Sequence, residues 1–483
     1  MPRSTSTYVC QACGARSRQF FGRCSSCGAW NALVEQAGAS EPPPDRRRRR
    51  PAPEDGPAPA PRRSEPIAAV GDRPLQRLGS GYGELDRVLG GGLVPGSLVL
   101  LGGDPGIGKS TLLLQSARAM AERLPVLYVS AEESAQQVKL RWRRLGERAA
   151  SDAVVEAAAG AGQPGLRLLS ETDLELVLQE IESLRPAVAI IDSIQALHDA
   201  ELASAPGSVA QVRECAAALA RIGKRQDTAL LLVGHVTKEG MLAGPKVLEH
   251  LVDAVLTFEG DRFASHRLLR AVKNRFGATH ELGVFEMRGA GLAEVTNPSE
   301  LFLGAGEPSS GTATIVACEG TRPLVVELQA LVSTTSYASP RRSATGIAVN
   351  RLHQILAVLE KHMGLPLSRF DCYLAVAGGL DVEEPAADLG VAAAVVASYR
   401  DLVLPPGTVL IGELGLGGQL RPVSQLELRL QELARLGFTR AVVPAGSGLA
   451  RAAAGLGLEL LEAGTVAAAL VAALGVNPAS DGD

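Results

Sequence analysis

Short apolar runs separated by longer amphipathic stretches set the pattern of this chain. Residues 98–101, 126–129, 187–191 and 230–233 are each wholly hydrophobic, and 268–272 is broken only by Arg270. Runs this short and continuous fit strands covered on both faces, as in a parallel sheet. Directly after the first run, residues 112–120 carry apolar positions at helical spacing, so the chain reads strand, turn, helix, strand. Past Asn297 the pattern changes, with strands expected at 312–317 and 324–328 and helices at 349–362 and 386–400. The expected fold is an α/β core followed by an α+β domain.

The turn after the first strand carries chemistry. Gly103-Asp104-Pro105-Gly106-Ile107-Gly108-Lys109-Ser110, continuing into Thr111, fits G-x-x-x-x-G-K-[ST] in full between a hydrophobic strand and an amphipathic helix. In that setting backbone N–H groups wrap the phosphates of ATP, Lys109 reaches the β/γ-oxygens and Ser110 ligates Mg2+. Two acids close later strands. Glu132 follows the second strand and is placed to orient or deprotonate the attacking water, while Glu133 points elsewhere and begins the next helix. Asp192 ends the third strand, about eighty residues after the glycine-rich loop, as the Walker B acid of the magnesium shell.

The fourth run ends in His235-Val236-Thr237-Lys238-Glu239-Gly240, polar groups suited to sensing a γ-phosphate. The fifth runs into Lys273-Asn274-Arg275-Phe276-Gly277, whose cations suit a neighbouring subunit's nucleotide or DNA phosphates. Only seven of the chain's 48 basic residues are lysine, and Lys109, Lys238 and Lys273 all fall in such segments, where a flexible ammonium is not interchangeable with a guanidinium.

At the other end, Cys10-x-x-Cys13 and Cys24-x-x-Cys27 offer four thiolates at the spacing of a structural Zn2+ site, with Tyr8, Phe20, Phe21 and Trp30 as apolar cover. Disulfides are opposed by a reducing cytosol. Cys215, Cys318 and Cys372 stand alone and read as small buried hydrophobes. Residues 36–66 are rich in Pro, Ala, Glu and Arg and read as a disordered tether with a reach of roughly 30 Å; the run Arg46 to Arg50 is either solvated or in contact with phosphate. Up to Pro66 eleven arginines face six acids, so the remainder is more acidic than the net charge of −4 suggests. Nucleic acid would have to bind through local basic strips. Glu459 and Glu462 interrupt the apolar C-terminal stretch and the first eight residues are short and polar, so neither a membrane span nor a signal peptide is expected and the protein reads as cytoplasmic.

The order of these motifs, four-cysteine ribbon first and Lys273-Asn274-Arg275-Phe276-Gly277 last, resembles the RadA (Sms) family of bacterial DNA repair proteins over nearly the whole chain. Residues 204–214 resemble that family's first DNA-facing loop. The long Arg-rich linker departs from it. The resemblance implies a RecA-like core, a homo-oligomeric, hexameric ring around single-stranded and branched DNA, ATP-driven branch migration of recombination intermediates, and the RecA recombinase as partner. The domains then fall at 1–35 (zinc ribbon), 36–66 (linker), 67–296 (ATPase) and 297–483.

The last of these resembles the proteolytic domain of Lon, whose dyad is a serine and a lysine. Here Glu384-Pro385-Ala386 puts Ala386 at the serine position and Gly412-Glu413 through Arg429 puts Arg429 at the lysine position. Alanine has no nucleophile, and a guanidinium does not accept a proton near neutrality. The domain is expected to be a scaffold without peptidase activity, with Arg341, Arg342 and Arg351 as candidate DNA-backbone contacts. The leading expectation is a DNA-dependent ATPase; the rivals are an ATP-switched adaptor for a recombinase and an ATP-dependent protease.

Overall fold

The computed structural model describes residues 7–10, 16–17, 19, 21–25, 27–30, 33–36, 76–145, 163–234, 248–260, 265–279, 281–303, 309–337 and 339–474. The chain divides into two compact units, the first comprising Met1–Gly277 with Glu286–Ala293 and the second Ala278–Phe285 with Glu294–Asp483.

In the first unit six parallel strands lie side by side in the order Ala254–Glu259, Leu98–Gly103, Ala229–Val233, Val188–Asp192, Pro125–Ser130 and Gly165–Ser170. Every residue of Leu98–Gly103, Val188–Asp192 and Ala229–Val233 is buried, which is why their sequences are unbroken hydrophobic runs. The fifth expected strand behaves differently. His266–Asn274 runs antiparallel to Ala254–Glu259 and its residues alternate in burial, so Arg270 is tolerated on the wetter face.

Helices Leu174–Leu184 and Val209–Gln226 bury Val177, Ile181, Val212, Leu219 and Ile222 against the strand residues Leu100, Ile191 and Leu232. Both have side-chain caps: Asp173 accepts from the Glu175 amide and Ser208 from the Gln211 amide. Residues 204–208 form the turn before the second of these helices and 209–214 its first turns, with Gln211 bonded to the carbonyls of Asp199 and Ser204 at 3.0 Å each.

The second unit is α+β. Its seven-stranded mixed sheet runs Arg342–Thr345, Phe370–Val376, Arg322–Thr334, Thr312–Glu319, Thr408–Leu410, Arg440–Pro444, Glu459–Ala463. Thr312–Glu319 and Arg322–Thr334 form an antiparallel hairpin, and the last three strands are parallel to Thr312–Glu319 and to one another. The helix expected at 349–362 spans Val349–Met363. The one expected at 386–400 is a 3-10 turn, Pro385–Ala387, followed by the helix Asp388–Arg400. That helix lies very close to the sheet. A Cβ added to Gly390 would sit 2.0 Å from Ile315 Cγ2, so glycine permits the approach.

Two ion pairs lie beside this helix, each with one fully buried partner and one at the edge of solvent. Arg429, 0% exposed, donates to both carboxylate oxygens of Glu384 at 2.6 Å, to the Val316 carbonyl, and to the Ser424 carbonyl at 3.1 Å. Glu384 Oε1 also accepts from the Cys318 amide at 2.7 Å. Arg351, a candidate DNA contact by sequence, instead forks onto Asp388, whose Oδ2 also accepts from the Leu414 amide at 2.9 Å. Burial pushes the Asp388 carboxyl above its usual range against the pull of Arg351. Ala386 is buried among Val316, Ile411 and Leu430. Cys215 and Cys372 are buried as expected, whereas Cys318 is only half-buried; burial raises the thiols of Cys215, Cys372 and Cys318 to about 12, 11 and 11 respectively.

Removing one partner of such a pair leaves the other charge without compensation. Glu384→Ala is therefore expected to destabilise the second unit by about 3–5 kcal/mol, measured as a lowered guanidinium midpoint for the full chain; a shift below about 1 kcal/mol would contradict that pairing.

Candidate nucleotide-binding site

The site is built where the parallel strands end. Strand Leu98–Gly103 delivers the glycine-rich loop to the start of helix Lys109–Ala121. Gly103 has φ +150°, and a Cβ there would lie 2.4 Å from the Phe258 carbonyl oxygen of the neighbouring strand. Gly108 sits at the N-cap with φ +115°, where a Cβ would meet Met287 Cε at 2.8 Å. These contacts require glycine for conformation and for space. The N-cap makes no side-chain hydrogen bond and the first turn holds no acid, so the helix presents its N–H groups and positive end to an anion. Ser110 and Thr111 lie in that turn, half-buried. Arg267 fastens the loop from behind, donating from Nε to the Ile107 carbonyl at 3.2 Å.

Lys109 is 4% exposed and its Nζ donates to the carbonyls of Gly103 at 2.7 Å and Asp104 at 2.9 Å. Burial lowers its pKa, and the carboxylates of Asp192, Glu132 and Asp104 pull it partly back. The ammonium and both strand-end acids thus share one electrostatic neighbourhood, as the sequence motifs require.

Asp192 closes strand Val188–Asp192, in register opposite Ser130 of the adjacent strand. It is 8% exposed, and its Oδ2 accepts from Tyr128 Oη at 2.6 Å. Glu132 lies two residues beyond the end of Pro125–Ser130 and accepts a hydrogen bond from Ser193 Oγ. Glu133 turns away, pairing with Arg141 of helix Ala135–Leu145, which begins two residues later. An uncapped helix terminus, a buried lysine and two converging acids fit a magnesium–triphosphate: Ser110 and Asp192 would hold the cation, which supplies charge neutralisation on the phosphates. Sequence reasoning missed Tyr128 and Ser193. The one available signal was a hydroxyl-bearing aromatic inside an otherwise aliphatic strand.

The segment 273–277 is tied to the body of its unit. Lys273 Nζ donates to the carbonyls of Glu249 and of Val252, the latter at 2.8 Å. Asn274 Nδ2 donates to the Val88 carbonyl at 3.2 Å, and its Oδ1 accepts from the Phe276 amide at 2.9 Å. Arg77 Nη2 donates to the Phe276 carbonyl at 2.5 Å, and Gly277 lies against Gly90, which ends the helix Gly83–Leu89. Arg275 Nη1 donates to Asp253 Oδ1 at 3.0 Å while its side chain stays half exposed. Asp253 Oδ2 accepts from the Leu98 amide at 3.0 Å, at the start of the glycine-loop strand. Lys238 and the rest of 235–240 lie outside the described residues.

In the second unit Arg341 stacks over Tyr337 at 3.7 Å and its amide donates to Asp371 Oδ1, while Arg342 Nη2 donates to the Leu367 carbonyl at 3.2 Å.

In the ribbon, strands Thr7–Cys10, Arg16–Ser17 and Leu33–Gln36 form an antiparallel sheet. The sulfurs of Cys10, Cys24 and Cys27 lie within 4.8 Å of one another, with Cys10 and Cys27 Sγ 3.7 Å apart, and none of the three is in a disulfide. The second knuckle closes through amide–carbonyl bonds Gly28 to Cys24 and Cys24 to Ala29, both 2.9 Å. A converging thiol set of this kind fits zinc; Cys13 lies outside the described residues. Of the expected apolar cover, Trp30 is 72% exposed beneath Arg23 and Phe21 is 47% exposed; Phe20 and the side chain of Tyr8 lie outside the described residues.

A glycine loop between a buried strand and an uncapped helix, with both acids on neighbouring strand ends, defines a P-loop ATPase of the α/β class. Residues 75–241 match the AAA domain family and residues 8–35 the rubredoxin metal binding domain family. The DNA repair protein RadA of Synechocystis sp. is 56% identical over 496 residues, covering 99% of this chain and 96% of its own. Its counterpart in Bacillus subtilis is 47% identical over 479 residues, covering 98% and 100%, and that of Pseudomonas aeruginosa 47% over 457 residues, covering 94% and 96%. A crystallised KaiC-like protein from Pyrococcus horikoshii is 18% identical with a TM-score of 0.35, over 46% of this chain and 100% of that one. The chain belongs to the RadA family of DNA repair proteins.

Two outcomes follow from the geometry. Lys109→Ala is expected to cut ATP turnover on the order of 100-fold or more, and Glu132→Gln by about 100- to 10,000-fold with nucleotide binding retained; wild-type turnover in either variant, measured by phosphate release, would displace that residue from the site. Elemental analysis should find about one zinc ion per chain, released on Cys24→Ser; a zinc-free wild-type protein purified without chelator would refute the ribbon assignment.

Proposed function

We propose that this protein hydrolyses ATP to move along or remodel single-stranded and branched DNA in recombinational repair, driving branch migration as a hexameric ring in concert with a RecA-type recombinase. The convergence of Lys109, Asp192 and Glu132 on an uncapped helix terminus carries the ATPase half of this reading. Family membership supports the DNA half.

In this reading Lys109 exchanges its two loop carbonyls for phosphate oxygens, and the backbone N–H groups of residues 103–111 other than Pro105 orient the chain of phosphates. Glu132, held by Ser193, aligns the attacking water and takes its proton. Lys238, Lys273, Asn274, Arg275, Phe276 and Gly277 form the proposed DNA or inter-subunit surface of the ATPase, and Arg341 and Arg342 a backbone contact of the second unit. Half exposure at Arg275 supports a role there for that residue. The zinc ribbon serves as a recognition module, and the segment 36–66 as its tether.

The second unit acts as a scaffold without peptidase activity. At the two positions that resemble the Lon dyad, Ala386 has no nucleophile and Arg429 has its guanidinium committed to Glu384 and two carbonyls. The resting ion pair of Arg429 supports that reading over an ATP-dependent protease.

Single-stranded DNA is expected to raise the ATPase rate, and log affinity for it to fall with log[salt] at a slope of about −0.7 per neutralised phosphate. A fluorescent three-strand assay with and without the recombinase should show ATP-dependent branch movement that Lys109→Ala abolishes. ATP turnover indifferent to DNA, with no strand movement, would favour a nucleotide-switched adaptor instead.

A further inference from the structure

The Walker B carboxylate is held by a hydroxyl that the sequence motifs do not include. Tyr128 lies on strand Pro125–Ser130, in parallel register opposite Ile190, and two residues further on Ser130 is opposite Asp192. Its side chain is 1% exposed and packs in a strand that is otherwise Val126, Leu127 and Val129. Phenylalanine would fill nearly the same volume without burying a polar atom. The hydroxyl is tolerated because it has a partner: Oη donates to Asp192 Oδ2 at 2.6 Å.

A phenol hydroxyl can only donate to an ionised carboxylate oxygen, which has no proton to give. A hydrogen bond from such a donor favours the ionised carboxylate and fixes its rotamer. With one lone pair of Oδ2 committed to the phenol, Oδ1 would be the oxygen better placed for the cation's shell. Glu133, beyond the end of the same strand, is paired with Arg141 and does not compete for the hydroxyl.

We propose that Tyr128 is a positioning residue for magnesium–nucleotide: its hydroxyl orients Asp192 through Oδ2 so that Oδ1 faces the bound cation. This rests on the reading of Asp192 as the magnesium-holding acid. Tyr128 itself touches neither nucleotide nor metal; it acts through the carboxylate. Supporting groups of this kind are worth about 10- to 100-fold in metal affinity.

The test uses the full chain and a fluorescent ADP analogue, whose binding is read without turnover. Binding is titrated with Mg2+ and, in parallel, Mn2+ is followed by electron paramagnetic resonance. Tyr128→Phe is expected to raise the cation concentration for half-saturation about 10- to 100-fold, to broaden the Mn2+ signal of the nucleotide complex, and to leave analogue binding in EDTA unchanged. A purely structural bond would lower the melting temperature and leave the cation titration where it was, and that result overturns the proposal. If Tyr128→Phe loses binding in EDTA as well, 4-aminophenylalanine at 128, a weaker donor of the same shape, replaces it; a smaller rise is expected, and no rise overturns the proposal. Asp192→Asn separates the two readings. If it raises the cation demand while the changes at 128 do not, only the role of Tyr128 falls; if it too leaves the demand unchanged, the magnesium reading of Asp192 falls and that of Tyr128 with it.

Discussion

Parallel strands covered on both faces can carry charge only where they end, and the nucleotide site obeys that constraint. Within Leu98–Gly103 and Val188–Asp192 every side chain is out of water, so any ionisable group in mid-strand would need its own buried partner. Because the six strands run the same way, their carboxyl ends share one edge of the sheet. Asp192 stands level with Ser130, Glu132 follows two residues later, and the glycine loop leaves the same edge. The candidate catalytic groups are therefore brought together by strand direction and burial. Tyr128 is a buried mid-strand hydroxyl, tolerated because the strand pairing places it beside a carboxylate.

This is also why so much of the core was legible. Unbroken apolar runs of four or five residues mark strands with no wet face, and they located four of the parallel strands and the loop between the first strand and helix Lys109–Ala121. Where a strand is only partly covered the signal weakens. Gly165–Ser170 lies at the edge of the sheet and carries Arg167, and it went unrecognised. Ala254–Glu259 was also missed, since Thr257 and Glu259 interrupt its hydrophobic pattern. Side-chain partners across strands were beyond reach for a different reason: Tyr128 and Asp192 are 64 residues apart in the chain, and only the register brings them together. The motif Lys273-Asn274-Arg275-Phe276-Gly277 was recognised by its composition, but spacing could not show that Lys273 and Asn274 point at backbone carbonyls of their own unit.

The second unit shows a different use of buried charge. Arg429 satisfies its donors with Glu384 and two carbonyls, and Arg351 forks onto Asp388, so three helices (Val349–Met363, Asp388–Arg400 and Leu426–Arg435) and the hairpin strand Thr312–Glu319 are fixed by directional contacts as well as by apolar packing. A guanidinium suits such a place because its planar fork meets both oxygens of a carboxylate at once. The Ala386 methyl beside it completes an apolar layer with Val316 and Ile411, where a hydroxyl would need a partner of its own.

Asp253 joins two distant stretches of the first unit through one carboxylate, taking the Leu98 amide on one oxygen and the Arg275 guanidinium on the other. The root of the glycine-loop strand and the exposed end of the 273–277 segment are thus two ends of a single short lever. Whatever draws Arg275 outward, be it a neighbouring molecule or a polyanion, strips Asp253 of its counter-charge at the point where it holds Leu98, the first residue of that strand's hydrophobic run.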